Sequence, residues 1–395
     1  MDQLKNPFSP GAGTPPPELA GRDDLLGEAR IALERIKAGK YAQSMTLVGL
    51  RGVGKTVLLN KIREMATEIG YSVVMIEATE SRNLPELILP SLRQTLFKLD
   101  AMADVSERVK RGLRVFRSFI SRFTVKVKDI EFGLNIDPEK GTADSGDLET
   151  DLPELLIAIG DAAKDRNTAL AIIIDEMQYL SEKEISALVM SIHLISQRQL
   201  PVVLIGAGLP QLIGLAGSSK SYAERLFRYY DIGPLSEPEA IKALQIPVLA
   251  QGVRFTDEAL RELVRITCGY PYFLQEWGYS VWNVATDSPI TIEDVKNATA
   301  LVTKKLDEGF FRVRFDRLTQ KEKEYMRAMA DLGEGPHRSG DVANRLGVKV
   351  QSVAPVRSGL IRKGMIYSPA HGDTAFTVPL FNEFMLRTMP DATYS

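Results

Sequence analysis

Residues 49–56 read Gly-Leu-Arg-Gly-Val-Gly-Lys-Thr, directly after the apolar run Met45-Thr46-Leu47-Val48. Glycine weakens strands and helices alike, so packing gives no reason for the cluster. Phosphate chemistry does. The spacing fits G-x-x-x-x-G-K-[ST], a loop whose backbone N–H groups curl round a phosphate where Cβ atoms would clash. Gly49, Gly52, Val53, Gly54, Lys55, Thr56 and Val57 are therefore the expected nucleotide contacts. Lys55, expected to stand exposed in the loop, can reach the β- and γ-phosphates, and the Thr56 hydroxyl can hold Mg²⁺. The amphipathic helix starting near Lys55 points its positive end at the anion.

Such a loop needs an acidic partner for Mg²⁺ and a group to position water. Ala169-Leu170-Ala171-Ile172-Ile173-Ile174-Asp175-Glu176 supplies both. The unbroken apolar run reads as a strand buried on both faces. Its C-terminal acids lie in the crevice where open α/β sheets bind ligands. Asp175 is assigned to the Mg²⁺ shell and Glu176 to the attacking water.

Further strands are expected at Tyr71–Glu77 and Leu200–Gly206, alternating with helices. That alternation indicates a doubly wound parallel α/β sheet. The chain has 395 residues, 44% of them hydrophobic and 25% charged, enough for two or three domains. With a net charge of −2, any nucleic-acid binding must come from a local patch. Cys268 is the sole cysteine, which excludes a disulfide framework or a zinc cluster; it reads as a small buried residue. No run reaches membrane-spanning length and the first residues lack a signal design, so a soluble cytoplasmic protein is expected.

The segments GLRGVGKT, AIIIDE and PVVLIGAG resemble the Walker A, Walker B and sensor-1 strand of an AAA+ P-loop ATPase. The resemblance covers roughly residues 15–310 and points to the archaeal-ATPase, STAND and origin-recognition branches. It implies ATP and Mg²⁺ as ligands and ATP hydrolysis as the activity. Gly21 and Arg22 resemble the segment that flanks adenine. Pro271, in Gly269-Tyr270-Pro271, resembles the lid element. Arg225 and Arg228 are the candidates for an arginine that completes a neighbour's site in a homo-oligomer. Two departures stand out. Gly206-Ala207-Gly208 offers no side chain at the sensor-1 position, leaving backbone, Gln178 or Gln211 to substitute, or hydrolysis to be slow. The lid element carries no arginine.

The span from Thr56 to Asp175 is 175 − 56 = 119 residues, long for one strand and two helices, so about 100–152 reads as an insertion within an ATPase core of residues 1–235. Its first half is basic, with Lys110, Arg111, Arg114 and Arg117 on a helix whose other face is apolar. A strand or hairpin is expected over 124–134, then a mobile acidic loop over 137–151. Two readings stay open: a projection that contacts nucleic-acid phosphates, or a solvated helix paired with the acidic loop.

Residues 236–308 read as a helical lid, with Trp277 and Trp282 in its core. Residues 309–395 read as helix, helix, helix and hairpin, which resembles a winged helix-turn-helix domain. Its third helix would present Gln351, Ser352, Arg357, Arg362 and Lys363 to double-stranded DNA. Pro355 suits that helix only if it starts near Ser352. The expectation is an ATP-driven switch that binds DNA. The alternative is a STAND-like signalling ATPase whose winged helix makes protein contacts and which acts through a separate effector protein.

Overall fold

The computed structural model describes residues 1–11, 13–101, 106–123, 136–219 and 223–390. The first half alternates as expected. It runs α1 (Asp23–Lys37), β1 (Ser44–Val48), α2 (Lys55–Ile69), β2 (Tyr71–Glu77), α3 (Leu84–Asp100), α4 (Glu107–Arg122), α5 (Leu148–Asp165), β3 (Ala169–Asp175), α6 (Glu182–Gln197), β4 (Val202–Gly208), α7 (Gln211–Ser219), α8 (Ala223–Leu226) and β5 (Phe227–Asp231). The strands form one parallel sheet in the order β2-β3-β4-β1-β5. Every residue of β3 is buried, because helices cover both faces of the sheet and a polar residue would find no water. The ends of β1 and β3 thus open into one crevice, and β4 lies between them.

The basic helix of the expected insertion is α4. It does not project. Val109, Leu113, Phe116, Phe119 and Ile120 are all buried, most of them in the core shared with α5 and α3. An apolar face this wide must lie against the body of the fold. The hairpin expected at 124–134 lies outside the described residues. The acidic stretch is ordered rather than loose, because Asp151, fully buried, accepts from Ser145 N–H, Ser145 Oγ and Gly146 N–H. Those bonds satisfy a carboxylate that would otherwise be costly to bury.

The second half is helical: α9 (Glu237–Leu249), α10 (Asp257–Thr267), α11 (Pro271–Val284), α12 (Ile292–Leu306), a π-turn (Asp307–Phe311) and α13 (Arg312–Phe315). Thr256 caps α10 and Thr291 caps α12, as their sequences suggest. Trp277 and Trp282 are core residues. Cys268 is exposed, contrary to expectation. It ends α10 with φ +49°, a position that turns its side chain away from the helix packing.

The last segment runs α14 (Gln320–Asp331), β6 (His337–Arg338), α15 (Ser339–Leu346), α16 (Val350–Arg362), β7 (Ile366–Tyr367), β8 (Asp373–Phe376) and α17 (Phe381–Thr388), with sheet order β6-β8-β7. The expected helix, helix, helix and hairpin are present as α14, α15, α16 and β7–β8, with two elements the sequence did not suggest, β6 ahead of α15 and α17 after the hairpin. α16 begins at Val350, so Pro355 lies inside it, exposed to solvent, rather than in its first turn. Lid and C-terminal segment share one hydrophobic core, joined by Phe311, Phe315, Phe381 and Phe384. The expected boundary at 308/309 falls inside the π-turn of a continuous helical run.

Candidate active site

The chain leaves β1 at Val48 and turns back into α2 over six residues. Gly49 is fixed by close approach: a Cβ there would sit 2.1 Å from the Ile232 carbonyl oxygen. Gly54 is fixed by conformation, with φ +92° where it caps α2. The loop thus runs straight into a helix N-terminus, the arrangement that suits a phosphate.

Lys55 is 7% exposed, not standing out in the loop as expected. Its ammonium donates to the loop's own carbonyls, Gly49 O at 2.9 Å and Leu50 O at 2.8 Å. A buried ammonium needs such acceptors, and the curled loop brings them within reach. Burial lowers its pKa to about 8, against the opposing pull of Glu176 and Asp175.

The Thr56 hydroxyl donates to Asp175 Oδ2 at 2.6 Å, across 119 residues of sequence. This bond joins the two motifs. A hydroxyl and a carboxylate side by side are hard oxygen donors, the chemistry that a Mg²⁺ ion accepts. Burial raises the Asp175 pKa, while the Thr56 bond works the other way.

Glu176 follows with φ +54°, a left-handed backbone uncommon outside glycine. The turn carries its carboxylate out of the sheet and into the crevice. There Gln178 Nε2 donates to Glu176 Oε2, and Arg51 Nη1 lies 3.5 Å from Oε1. Gln178 Oε1 accepts from Leu209 N–H at 3.0 Å, at the end of β4. Of the two glutamines considered for the sensor-1 position, Gln178 makes the bridge. It also explains the glycines. A Cβ on Gly206 would lie 2.1 Å from Met177 Sδ, and one on Gly208 would lie 2.9 Å from Gln178 Oε1.

Arg51, Lys55, Thr56 and Glu176 border a cavity of about 460 Å³, a size typical of small-molecule sites. Arg22, Gly52, Val53, Gly54, Lys55, Thr56, Val57, Glu176 and Pro271 line it. Gly21, Gly49 and Asp175 do not line it. Arg22 Nη2 donates to Gly233 O at 2.6 Å, tying the N-terminal segment to the end of β5. The lid meets the loop directly: Tyr272 N–H donates to Gly52 O at 3.1 Å, one residue after Pro271. The C-terminal segment meets it too, where Arg51 N–H donates to Thr377 O at 3.1 Å, while Arg51 Nη2 donates to Tyr179 OH, just after β3, at 2.9 Å.

Sequence reading missed Arg314. It lines the cavity from α13, stacked over Phe310 at 4.0 Å. Burial, and then the nearby Arg51, lower its pKa to about 10. The π-turn just before it sets its aim; such turns often mark functional sites. The alternation Phe310-Phe311-Arg312-Val313-Arg314-Phe315 was the available signal, but it sits at the junction of two expected domains.

Arg225 and Arg228 are away from this cavity, on the sheet edge formed by α8 and β5. Arg225 is exposed; its carbonyl accepts from Tyr41 OH and Gln43 Nε2. Arg228 pairs with Glu28 at 2.9 Å and lies over the Tyr230 ring. The basic residues of α4 are largely paired. Arg111 and Arg114 meet Glu139 at 2.9 and 3.5 Å, and Lys110 meets Glu107 at 3.2 Å; Arg117 is half-buried. On α16, Arg357 is turned into the β7–β8 hairpin, donating to Thr374 Oγ1, Ser368 Oγ and Asp373 O. Lys363 pairs with Glu322 at 2.7 Å. Gln351, Ser352 and Arg362 face solvent.

Comparison with known proteins agrees with this geometry. Residues 18–205 match the family described as AAA ATPase domain, and residues 308–385 match a domain of unknown function, DUF8462. An uncharacterized HTH-type transcriptional regulator of Methanocaldococcus jannaschii is 22% identical over 400 residues, covering 95% of this chain and 91% of that protein. The Walker-type ATPase PABY2304 of Pyrococcus abyssi superposes with a TM-score of 0.55 at 17% identity, covering 96% of this chain and 99% of that one. The Orc1 protein of Aeropyrum pernix, solved in complex with DNA, gives a TM-score of 0.46 at 15% identity over 94% of each chain. Among the described residues no helix is long and apolar enough to cross a membrane. Sheet order and loop geometry thus agree with a P-loop NTPase fold, and residues 18–205 match the AAA ATPase domain family.

Proposed function

We propose that this protein is an ATP-controlled switch that binds ATP with Mg²⁺, hydrolyses it slowly and binds double-stranded DNA. The observation that carries the ATP reading is the 2.6 Å bond from Thr56 to Asp175 beside the buried Lys55. Lys55 neutralises phosphate charge, with Gly52, Val53, Gly54 and Val57 around the phosphates and Gly21, Arg22 and Pro271 toward the base. Thr56 and Asp175 would hold Mg²⁺, which, when bound, offsets charge on the β- and γ-phosphate oxygens. Glu176 orients the attacking water and takes its proton. Slow turnover follows from the restraint on Glu176, whose two oxygens are held by Gln178 and Arg51. Arg314 reaches the phosphates within the chain, and Arg225 or Arg228 acts across a subunit interface in the ATP state. The chain divides into a core (1–235), a lid (236–308) and a winged-helix unit (309–395).

The similarity to a protein described as an HTH-type regulator and the exposed Gln351 and Arg362 on α16 support DNA as partner. A second reading, a signalling ATPase acting through a separate effector, draws support from the docking of the C-terminal segment on Arg51. Duplex-DNA anisotropy and size-exclusion chromatography with ADP or a slow ATP analogue separate the two. The DNA reading expects salt-sensitive binding that strengthens with the analogue, together with a larger particle. No binding at low salt with the analogue leaves the signalling reading.

A further inference from the structure

The segment ahead of α1 is fastened to the lid. Trp282 Nε1 donates to Asp2 O at 2.9 Å, and Asn6 Nδ2 donates to Tyr279 O and Asn283 Oδ1, both at 2.9 Å. Ser9 N–H donates to Gln275 Oε1 at 3.1 Å. Positions 275, 279 and 282–283 recur at one-turn spacing, so the segment follows a single stripe of α11. Between these bonds Phe8 is 3% exposed, seated over Gly278. A Cβ on Gly278 would come 2.7–2.8 Å from the Phe8 ring, so the seat exists only because that residue has no side chain.

Gly13 lies at the opposite wall. A Cβ on Gly13 would lie 3.0 Å from Thr56 Cγ2 and 3.8 Å from Asn60 Nδ2, so it touches the first turns of α2. Ser9, Pro10 and Thr14 line the cavity facing the phosphate-binding loop. Residues 2–9 are thus fixed to the lid, and Ser9, Pro10 and Gly11 border the cavity between lid and phosphate-binding loop.

We propose that residues 2–11 are a latch that retains the nucleotide, and that ADP leaves only after Phe8 withdraws from α11. The proposal rests on the nucleotide reading of this cavity. A latch of one aromatic ring and a few hydrogen bonds belongs to the low-stability end of a fold, where local opening is frequent. Product release gated by such opening sets turnover in many enzymes. The polar bonds fix the register of the segment, and the ring holds it down.

The test follows dissociation of a fluorescent ADP analogue from the full chain by stopped flow. Phe8→Ala is expected to speed release about tenfold or more, since interface changes act chiefly on off-rates. Gly278→Ala, whose methyl enters the ring's seat, should do the same, and Phe8→Leu should recover most of the retention. Release within twofold of the parent for both Phe8→Ala and Gly278→Ala overturns the latch. Hydrogen exchange on the unmutated chain is the second arm, independent of whether variants fold. ADP should slow exchange across residues 2–11, and equal exchange with and without ADP overturns the proposal. A parent chain that binds no nucleotide overturns the ATP reading itself, which separates the two failures.

Discussion

Two regions of this molecule are rich in charge and use it oppositely. In the crevice, Lys55, Arg51, Arg314 and Glu176 come from three separate stretches of sequence and converge on one cavity. On α4 and α16, basic residues close in sequence are mostly spent on neighbours: Arg111 and Arg114 on Glu139, Lys110 on Glu107, Lys363 on Glu322 and Arg357 on the β7–β8 hairpin. A run of like charge in sequence says little about a ligand, because the fold supplies counter-charges. A spacing that demands glycine and a helix start says a great deal, because few other needs produce it.

Lys55→Ala tests this contrast most severely. It should abolish turnover and weaken nucleotide binding by about 100-fold or more, since a point charge on the phosphates is lost. Nucleotide titration with circular dichroism as the folding control checks it; normal binding by a folded variant removes the phosphate assignment.

Next, Glu176→Gln should retain ATP while slowing hydrolysis about 100-fold, because an amide fits the site but accepts no proton. Purified variant should carry ATP where the parent carries ADP. Parent-like turnover would reduce Glu176 to a strand-end acid.

Arg314→Ala is expected to lower turnover about tenfold or more through lost charge stabilisation. The defect should persist when the variant is mixed with Lys55→Ala chains, because Arg314 lines its own chain's cavity. If Arg225 or Arg228 acts between chains, the defect of Arg225→Ala or Arg228→Ala should instead be partly rescued by that mixture.

The smallest effects belong to the basic surfaces. If DNA binds α16, Arg362→Ala should reduce the slope of log affinity against log salt by about one, whereas Arg111→Ala should barely move it because Glu139 already neutralises that group. Glu139→Ala should then steepen the slope by unmasking Arg111 and Arg114. A slope that falls more for Arg111→Ala than for Arg362→Ala would reverse the comparison.

Legibility followed the same division. The two motifs, the parallel sheet and the helices of the second half were readable because each rests on local spacing, periodicity or a cap, as at Thr256 and Thr291. What escaped was decided by distant chain. Lys55 is buried because the loop folds its carbonyls inward. The acidic stretch is ordered because one of its own members, Asp151, turns into the body of the fold. Arg314 enters the cavity because a π-turn re-aims the helix leading to it. Gly206 and Gly208 read as a missing side chain, whereas they make room for Met177 and Gln178.

The bond from Arg51 N–H to Thr377 O has a thermodynamic corollary. It links a peptide of the phosphate-binding loop to the base of the C-terminal hairpin, so displacing that hairpin changes the free energy of the loop. Linkage is reciprocal for binding equilibria. Any partner that pulls residues 364–377 off the loop must therefore alter nucleotide affinity by the same factor by which nucleotide alters the affinity for that partner. One hydrogen bond would serve as the common account between two ligands that never touch.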